Sequence, residues 1–144
     1  MERLSGSGML DSGGCPSQFA ATLVAEILHG STYETHVAGL RRAYASRRDA
    51  LVAALREHLP AGCRFTVPSG GFFLWLTLPG GVRATELLPL AEARGVAFAP
   101  WARFYSYGGD RSLRLAFSLY GEATLAEGAR RLGAALRAAQ AGRA

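Results

Sequence analysis

Hydrophobic and polar positions alternate along the chain with two distinct periods, and the period changes several times. After a Gly/Ser-rich opening, Pro16-Ser17 starts a helical pattern that runs to His29 and stops at Gly30. Phe19, Leu23, Val24, Ile27 and Leu28 recur at helical spacing within it. Ser31 and Glu34 have the spacing of a capping box. A second helical pattern follows to Leu59, where Pro60 ends it. Its apolar stripe is Val37, Leu40, Tyr44, Leu51, Leu55 and Leu59. About 28 residues of helix span about 42 Å, more than one small domain uses, so this helix is expected to pack against two bodies.

The second half of the chain is shorter-grained. Arg64 to Val67 reads as a short strand, and Pro68-Ser69-Gly70-Gly71 as a turn. Phe72 to Leu78 (FFLWLTL) is apolar almost throughout, which predicts a central strand covered on both faces. Thr85 to Arg94 predicts a helix with Leu87, Leu88, Leu90 and Ala91 inward and Gly95 just past its end. Val96 to Ala99 reads as a strand, and Pro100 to Arg111 as a loop carrying Trp101, Phe104, Tyr105 and Tyr107 before Gly108-Gly109. Leu113 to Leu119 is a further strand. Thr124 and Glu127 have capping-box spacing, and the last helix is expected to run to about Gln140 with Leu125, Ala129, Leu132 and Leu136 inward. The order α-α-β-β-α-β-β-α predicts an α+β fold: a small sheet with antiparallel pairs, helices packed on it, and a long helix leading in.

Composition narrows the chemistry. The chain has 144 residues, 49% of them hydrophobic, which suits one folded domain rather than a disordered one. No apolar run reaches the roughly 18–20 residues of a membrane span. The stretch from Met1 to Gly14 lacks the apolar centre of a secretion signal. A cytoplasmic location without membrane contact is the expectation. All 16 basic residues are Arg; there is no Lys and no Asn, and there are 26 Ala. That bias fits a GC-rich genome, and it means that no side chain here can form a lysine Schiff base. The net charge of +5 is modest. The pairs Arg41-Arg42, Arg47-Arg48 and Arg130-Arg131 lie in helical stretches and read as solvated faces, so no nucleic-acid partner is expected. Cys15 and Cys63 have no CxxC spacing, and His29, His36 and His58 have no ligand pattern, so neither a disulfide nor a metal site is expected.

The most informative strand is Leu113-Arg114-Leu115-Ala116-Phe117-Ser118. Strand alternation sets Leu113, Leu115 and Phe117 on one face and Arg114, Ala116 and Ser118 on the other. An Arg flanked by small residues has room for a ligand, and its fork matches a carboxylate; an edge-strand Arg held by a local Asp or Glu fits the same pattern. The aromatic loop from Trp101 to Tyr107 reads equally as a pocket wall or as a plug over the sheet. Ser69 to Phe73 precedes a strand rather than a helix, which argues against a phosphate loop. No nucleophile–base set stands out, so no catalytic residue is assigned.

The run PSGGFFLWLTLPGGV, then a helix, then GVAFAPWARFY, a Gly-Gly loop and LRLAFS, resembles the C-terminal part of the class I/II aminotransferases, fold-type-I enzymes dependent on pyridoxal phosphate. The resemblance is strongest to the 2-aminoadipate and aromatic transaminase subgroup, whose domain the MocR-type transcription regulators share. LRRAYASRRDALVAALREHLP resembles that group's connecting helix, and the likeness covers about residues 9 to 138. It implies that residues 1–30 are a remnant of a large domain, 31–59 the interdomain helix and 60–144 the small C-terminal domain. It implies that Arg114 binds the substrate's α-carboxylate, that the substrates are an amino acid and a 2-oxo acid, and that the full-length protein is a homodimer holding pyridoxal phosphate. The family's cofactor-bearing Lys lies in its large domain, so the resemblance implies a chain inactive by itself, from a truncated gene, a split gene or a mis-assigned start. Pro100-Trp101 departs from the family's commoner Pro-Gly at that loop. Two alternatives stand beside this: the ligand lobe of a MocR-type regulator, and a non-catalytic α+β module that binds carboxylates.

Overall fold

The computed structural model describes residues 17–30, 32–104 and 109–142. These fall into two units, one ending at Arg41 and the other starting at Arg42.

The first unit holds helix α1, Gln18–His29, and the opening of helix α2, Thr32–His58. The Ser17 hydroxyl accepts from the Ala20 backbone N–H at 3.2 Å, so Ser17 is the N-cap. Gly30 closes the helix by donating to the Glu26 carbonyl. No residue of α1 is buried, and Phe19 is 81% exposed. The Ser31 half of the expected capping box lies outside the described residues.

The second unit contains the rest of α2, helix α3 at Ala84–Glu92, helix α4 at Glu122–Ala141, and a four-stranded sheet. The strands are β1 Arg64–Phe65, β2 Phe73–Thr77, β3 Ala99–Pro100 and β4 Ser112–Ala116, in the spatial order β1-β2-β4-β3, all pairs antiparallel. Leu74, Leu76, Leu113 and Leu115 point into a core shared with Leu51 and Leu55 of α2, Leu87 of α3 and Leu125, Leu132 and Leu136 of α4. Burying a Leu of this kind stabilises the fold by roughly 1.5–3 kcal/mol. The approach of α4 to the end of α2 is close: a Cβ on Gly133 would overlap the His58 carbonyl. Arg137 also donates to that carbonyl, at 2.8 Å.

Several expectations need correction. The segment Phe72–Leu78 is not covered on both faces. Its strand, β2, alternates: Leu74 and Leu76 are buried, whereas Phe73, Trp75 and Thr77 are exposed. The helical residues of the core all serve the aliphatic side of the sheet. Leu90 is exposed rather than inward, while Leu87 and Ala91 are buried. Helix α4 starts earlier than Thr124, with Gly121 as N-cap, so Thr124 lies inside it. Glu127 reaches forward instead, to Arg130 and Arg131 at 2.7 Å each. The strands are shorter than read: β1 ends at Phe65 and β4 at Ala116. Gly95 does take the positive φ, 76°, expected after α3. No described helix is long and apolar enough to cross a membrane.

Candidate functional site

The open face of the sheet gathers the side chains that its aliphatic face excludes. On β4, Arg114 stands between the buried Leu113 and Leu115 and points the opposite way. Its register partner across the sheet is Trp75 on β2, and Ala99 of β3 faces it on the other side. Ala116 beside it is exposed, so no bulky neighbour on its own strand crowds the guanidinium.

Aromatic rings surround this Arg. Its guanidinium carbon lies 3.9 Å from the centre of the Phe73 ring and 4.4 Å from that of Phe104. Phe104 meets Trp75 edge-on at 5.7 Å, and Trp75 meets Trp101 edge-on at 4.3 Å. Trp101 opens a single turn of 3₁₀ helix, Trp101–Arg103, that follows β3 directly. Gly109, at φ 83°, passes so close to Trp101 that only a glycine fits there. Trp101 and Phe104 therefore lie along the open sheet face. Tyr105, Tyr107 and Gly108 are outside the described residues. Beside Phe73 and Trp75 lies a cavity of about 390 Å³ lined also by Phe65, Thr66, Pro68 and Thr77.

The carboxylates that flank β4 in sequence are engaged elsewhere. Asp110, four positions before Arg114, accepts from Arg83 at 2.5 Å, and its backbone carbonyl accepts from the Ala84 N–H at 2.6 Å. Glu122 accepts from the Ser46 hydroxyl at 2.5 Å. Glu127, partly exposed, is held at a pKa of about 2 by hydrogen bonds from Arg130 and then Arg131. Among the described residues no ion pair involves Arg114. A guanidinium on an open face, without a counter-ion among the described residues, has the chemistry of an anion receptor.

A larger cavity of about 550 Å³ lies elsewhere, lined by Leu51, Val96, Leu115, Leu125 and Leu132, with Glu92 at its wall. An apolar space whose charged group is an acid disfavours a carboxylate, so size does not make it the better candidate. The other residues weighed from sequence do not assemble. No group of three or more metal-ligating side chains forms among the described residues. Cys63 is a free thiol whose pKa burial pushes up, and Cys15 is outside the described residues. Arg47 and Arg48 are tied to the Ser118 and Pro68 carbonyls. Ser69 to Gly71 leads into β2 with no helix behind it.

Sequence reasoning missed Phe73 and Trp75, which it placed in a doubly buried strand. The signal was present: in FFLWLTL the aromatics and leucines alternate, so the two faces differ in kind even though both are apolar.

The family model described as "Aminotransferase class I and II" matches residues 4–132. Among curated proteins, the aromatic-amino-acid aminotransferase 1 of Thermococcus litoralis is 34% identical over 119 residues, covering 82% of this chain and 28% of that protein. The HTH-type transcriptional regulator TauR of Rhodobacter capsulatus is 31% identical over 126 residues, covering 85% of this chain and 25% of the regulator. Among solved structures, the alpha-aminoadipate aminotransferase LysN of Thermus thermophilus, complexed with N-(5'-phosphopyridoxyl)-L-leucine, superimposes with a TM-score of 0.77 at 37% identity. That match covers 83% of this chain and 31% of LysN. The chain thus spans between a quarter and a third of the length of these relatives.

Proposed function

The chain belongs to the class I and II aminotransferases, and from that premise we propose that it supplies the carboxylate-binding part of a transaminase site, with Arg114 as the receptor. The reaction of the whole protein would move an amino group between an amino acid and a 2-oxo acid. The observation that carries the reading is the state of Arg114: on the open sheet face, walled by aromatics, with no ion pair among the described residues. Both substrates carry a carboxylate next to the reacting carbon. An Arg fork holds that group by two parallel hydrogen bonds and so fixes its orientation.

In this family the chemistry is supplied by pyridoxal phosphate. The residues present here do not fit as its holder. There is no lysine to engage the cofactor aldehyde. The Gly-rich turn at residues 69–71 precedes strand β2, so no helix N-terminus stands behind it for a phosphate. This chain therefore contributes substrate binding and not cofactor attachment. On this reading residues 60–144 are the small domain, 31–59 the helix joining it to a large domain, and 1–30 part of that large domain.

The test is a titration of the 144-residue chain with 3-phenylpropanoate and with its uncharged amide, followed by NMR at the Arg Nε–H signals. Preference for the acid, lost in Arg114→Lys, supports the proposal. Equal binding of acid and amide ends it.

A second reading is favoured by the similarity to TauR: the same carboxylate receptor within the ligand lobe of a transcription regulator. Linkage to a winged-helix DNA-binding segment would decide for it.

A further inference from the structure

Resting on the reading of Arg114 as a carboxylate receptor, we propose that Phe104 and Phe73 are positioning residues that hold the Arg114 guanidinium ready for a carboxylate before it arrives. An Arg side chain has many rotamers, and a ligand that must freeze them binds less tightly. Here the guanidinium already packs over two rings, at 3.9 and 4.4 Å from their centres. Ring contacts engage the flat faces of a guanidinium and leave its N–H groups, which lie in the plane, for a planar ligand.

The two rings are themselves fixed by different parts of the sheet. Phe73 is the first residue of β2, paired with Ala116 of β4. Its ring also meets Phe72 edge-on, and Phe72 meets Tyr44 of α2 edge-on at 5.2 Å. Phe104 comes from the loop after β3, closing the turn begun at Trp101, whose carbonyl accepts the Phe104 N–H at 2.8 Å. It rests on Trp75, which rests on Trp101, which in turn occupies the space that Gly109 leaves. The side chain of Phe104 is 44% exposed, so its ring fills no core and its removal leaves no buried cavity. An exposed Phe seated on an Arg that has no ion pair among the described residues, and buttressed through Trp75 by Trp101, is better accounted for by orienting that Arg than by stabilising the fold.

The experiment uses the full 144-residue chain, with 3-phenylpropanoate and 3-phenylpropanamide as probes. Four proteins are compared: wild type, Phe104→Leu, Phe104→Tyr and Arg114→Lys. Thermal midpoints are recorded on the same samples, and Phe104→Met replaces the Leu variant if that one fails to fold. Loss of one exposed cation–π contact corresponds to roughly a fivefold change. Phe104→Leu should therefore weaken binding of the acid about fivefold and leave binding of the amide alone. Its Arg114 Nε–H should exchange faster with water. Phe104→Tyr, which keeps the ring, should behave as wild type. Unchanged acid binding in Phe104→Leu overturns the positioning role while leaving Arg114 as receptor. A parallel loss of acid and amide binding also overturns it, because the ring would then be a general contact. If wild type does not prefer the acid, or Arg114→Lys retains the preference, the receptor reading fails and the positioning role with it.

Discussion

Trp101 occupies the place where a side chain on Gly109 would stand. Gly109 also holds a φ of 83°, which an L-residue with a Cβ adopts only with strain. Both constraints fall on Gly109, and the indole it makes room for is the one that Trp75, and through it Phe104, leans on. Gly109→Ala should lower stability by about 1–3 kcal/mol and displace Trp101. Thermal unfolding reads the first effect, and the near-UV circular dichroism of the tryptophan pair reads the second. An unchanged near-UV spectrum would show that the indole does not depend on this glycine.

Acid unfolding should depend on Glu127. Its carboxylate accepts from Arg130 and Arg131 and titrates at about 2 rather than at its ordinary 4.5. A depressed folded-state pKa means that the pair stabilises the fold above the unfolded value and that this contribution disappears as pH falls toward the folded value. Thermal midpoints of wild type should therefore drop between pH 4.5 and about 2, and Glu127→Gln should flatten that part of the profile. The pair is on the surface, so added salt should shrink the difference. Parallel acid limbs in the two proteins would contradict this.

Helix α1 should make the chain associate. Phe19, Leu23, Val24, Ile27 and Leu28 share one helical face, and each is about half exposed or more. A contiguous apolar face of this kind promotes self-association. Sedimentation velocity should show mass rising with concentration, and a Leu23→Glu, Ile27→Glu double variant should sediment as a monomer. A wild-type chain that stays monomeric over the same range argues that the face is covered in solution.

Pyridoxal phosphate should leave no covalent mark on this chain. With no lysine, the only amine is the terminal one. After that amine is blocked, the chain is mixed with the cofactor, reduced with borohydride and weighed by mass spectrometry. An unmodified mass is expected; a stable adduct on an internal residue would sink the assignment of cofactor attachment to a different polypeptide segment.

Much of the architecture was legible because it is encoded locally. Ser17 and Gly30 mark the two ends of α1, each by a capping hydrogen bond. Leu125, Ala129, Leu132 and Leu136 recur at the helical period and are buried in α4. Alternation alone set Arg114 opposite Leu113 and Leu115. The misreadings turned on the kind of apolar surface, on a competing partner one turn away, or on a partner distant in sequence. Hydrophobicity counts Phe73 and Trp75 as core, yet aromatic rings also line open faces where a cation can sit on them. The Thr124–Glu127 spacing matched a cap, but two arginines within one turn competed for the carboxylate and Gly121 started the helix earlier. The Arg83–Asp110 pair, which takes up the acid nearest Arg114 in sequence, spans 27 positions and has no local signature.

At Arg114 one variant separates a receptor from a structural cation. Arg114→Lys keeps the charge but replaces a planar fork with a point donor. Carboxylate affinity and thermal midpoint are measured on the same sample. A receptor loses charge-assisted hydrogen bonds of about 1.5–3 kcal/mol, so binding of 3-phenylpropanoate should weaken roughly 10- to 150-fold while the midpoint barely moves. A lowered midpoint with carboxylate affinity unchanged would contradict the account and make Arg114 a structural residue.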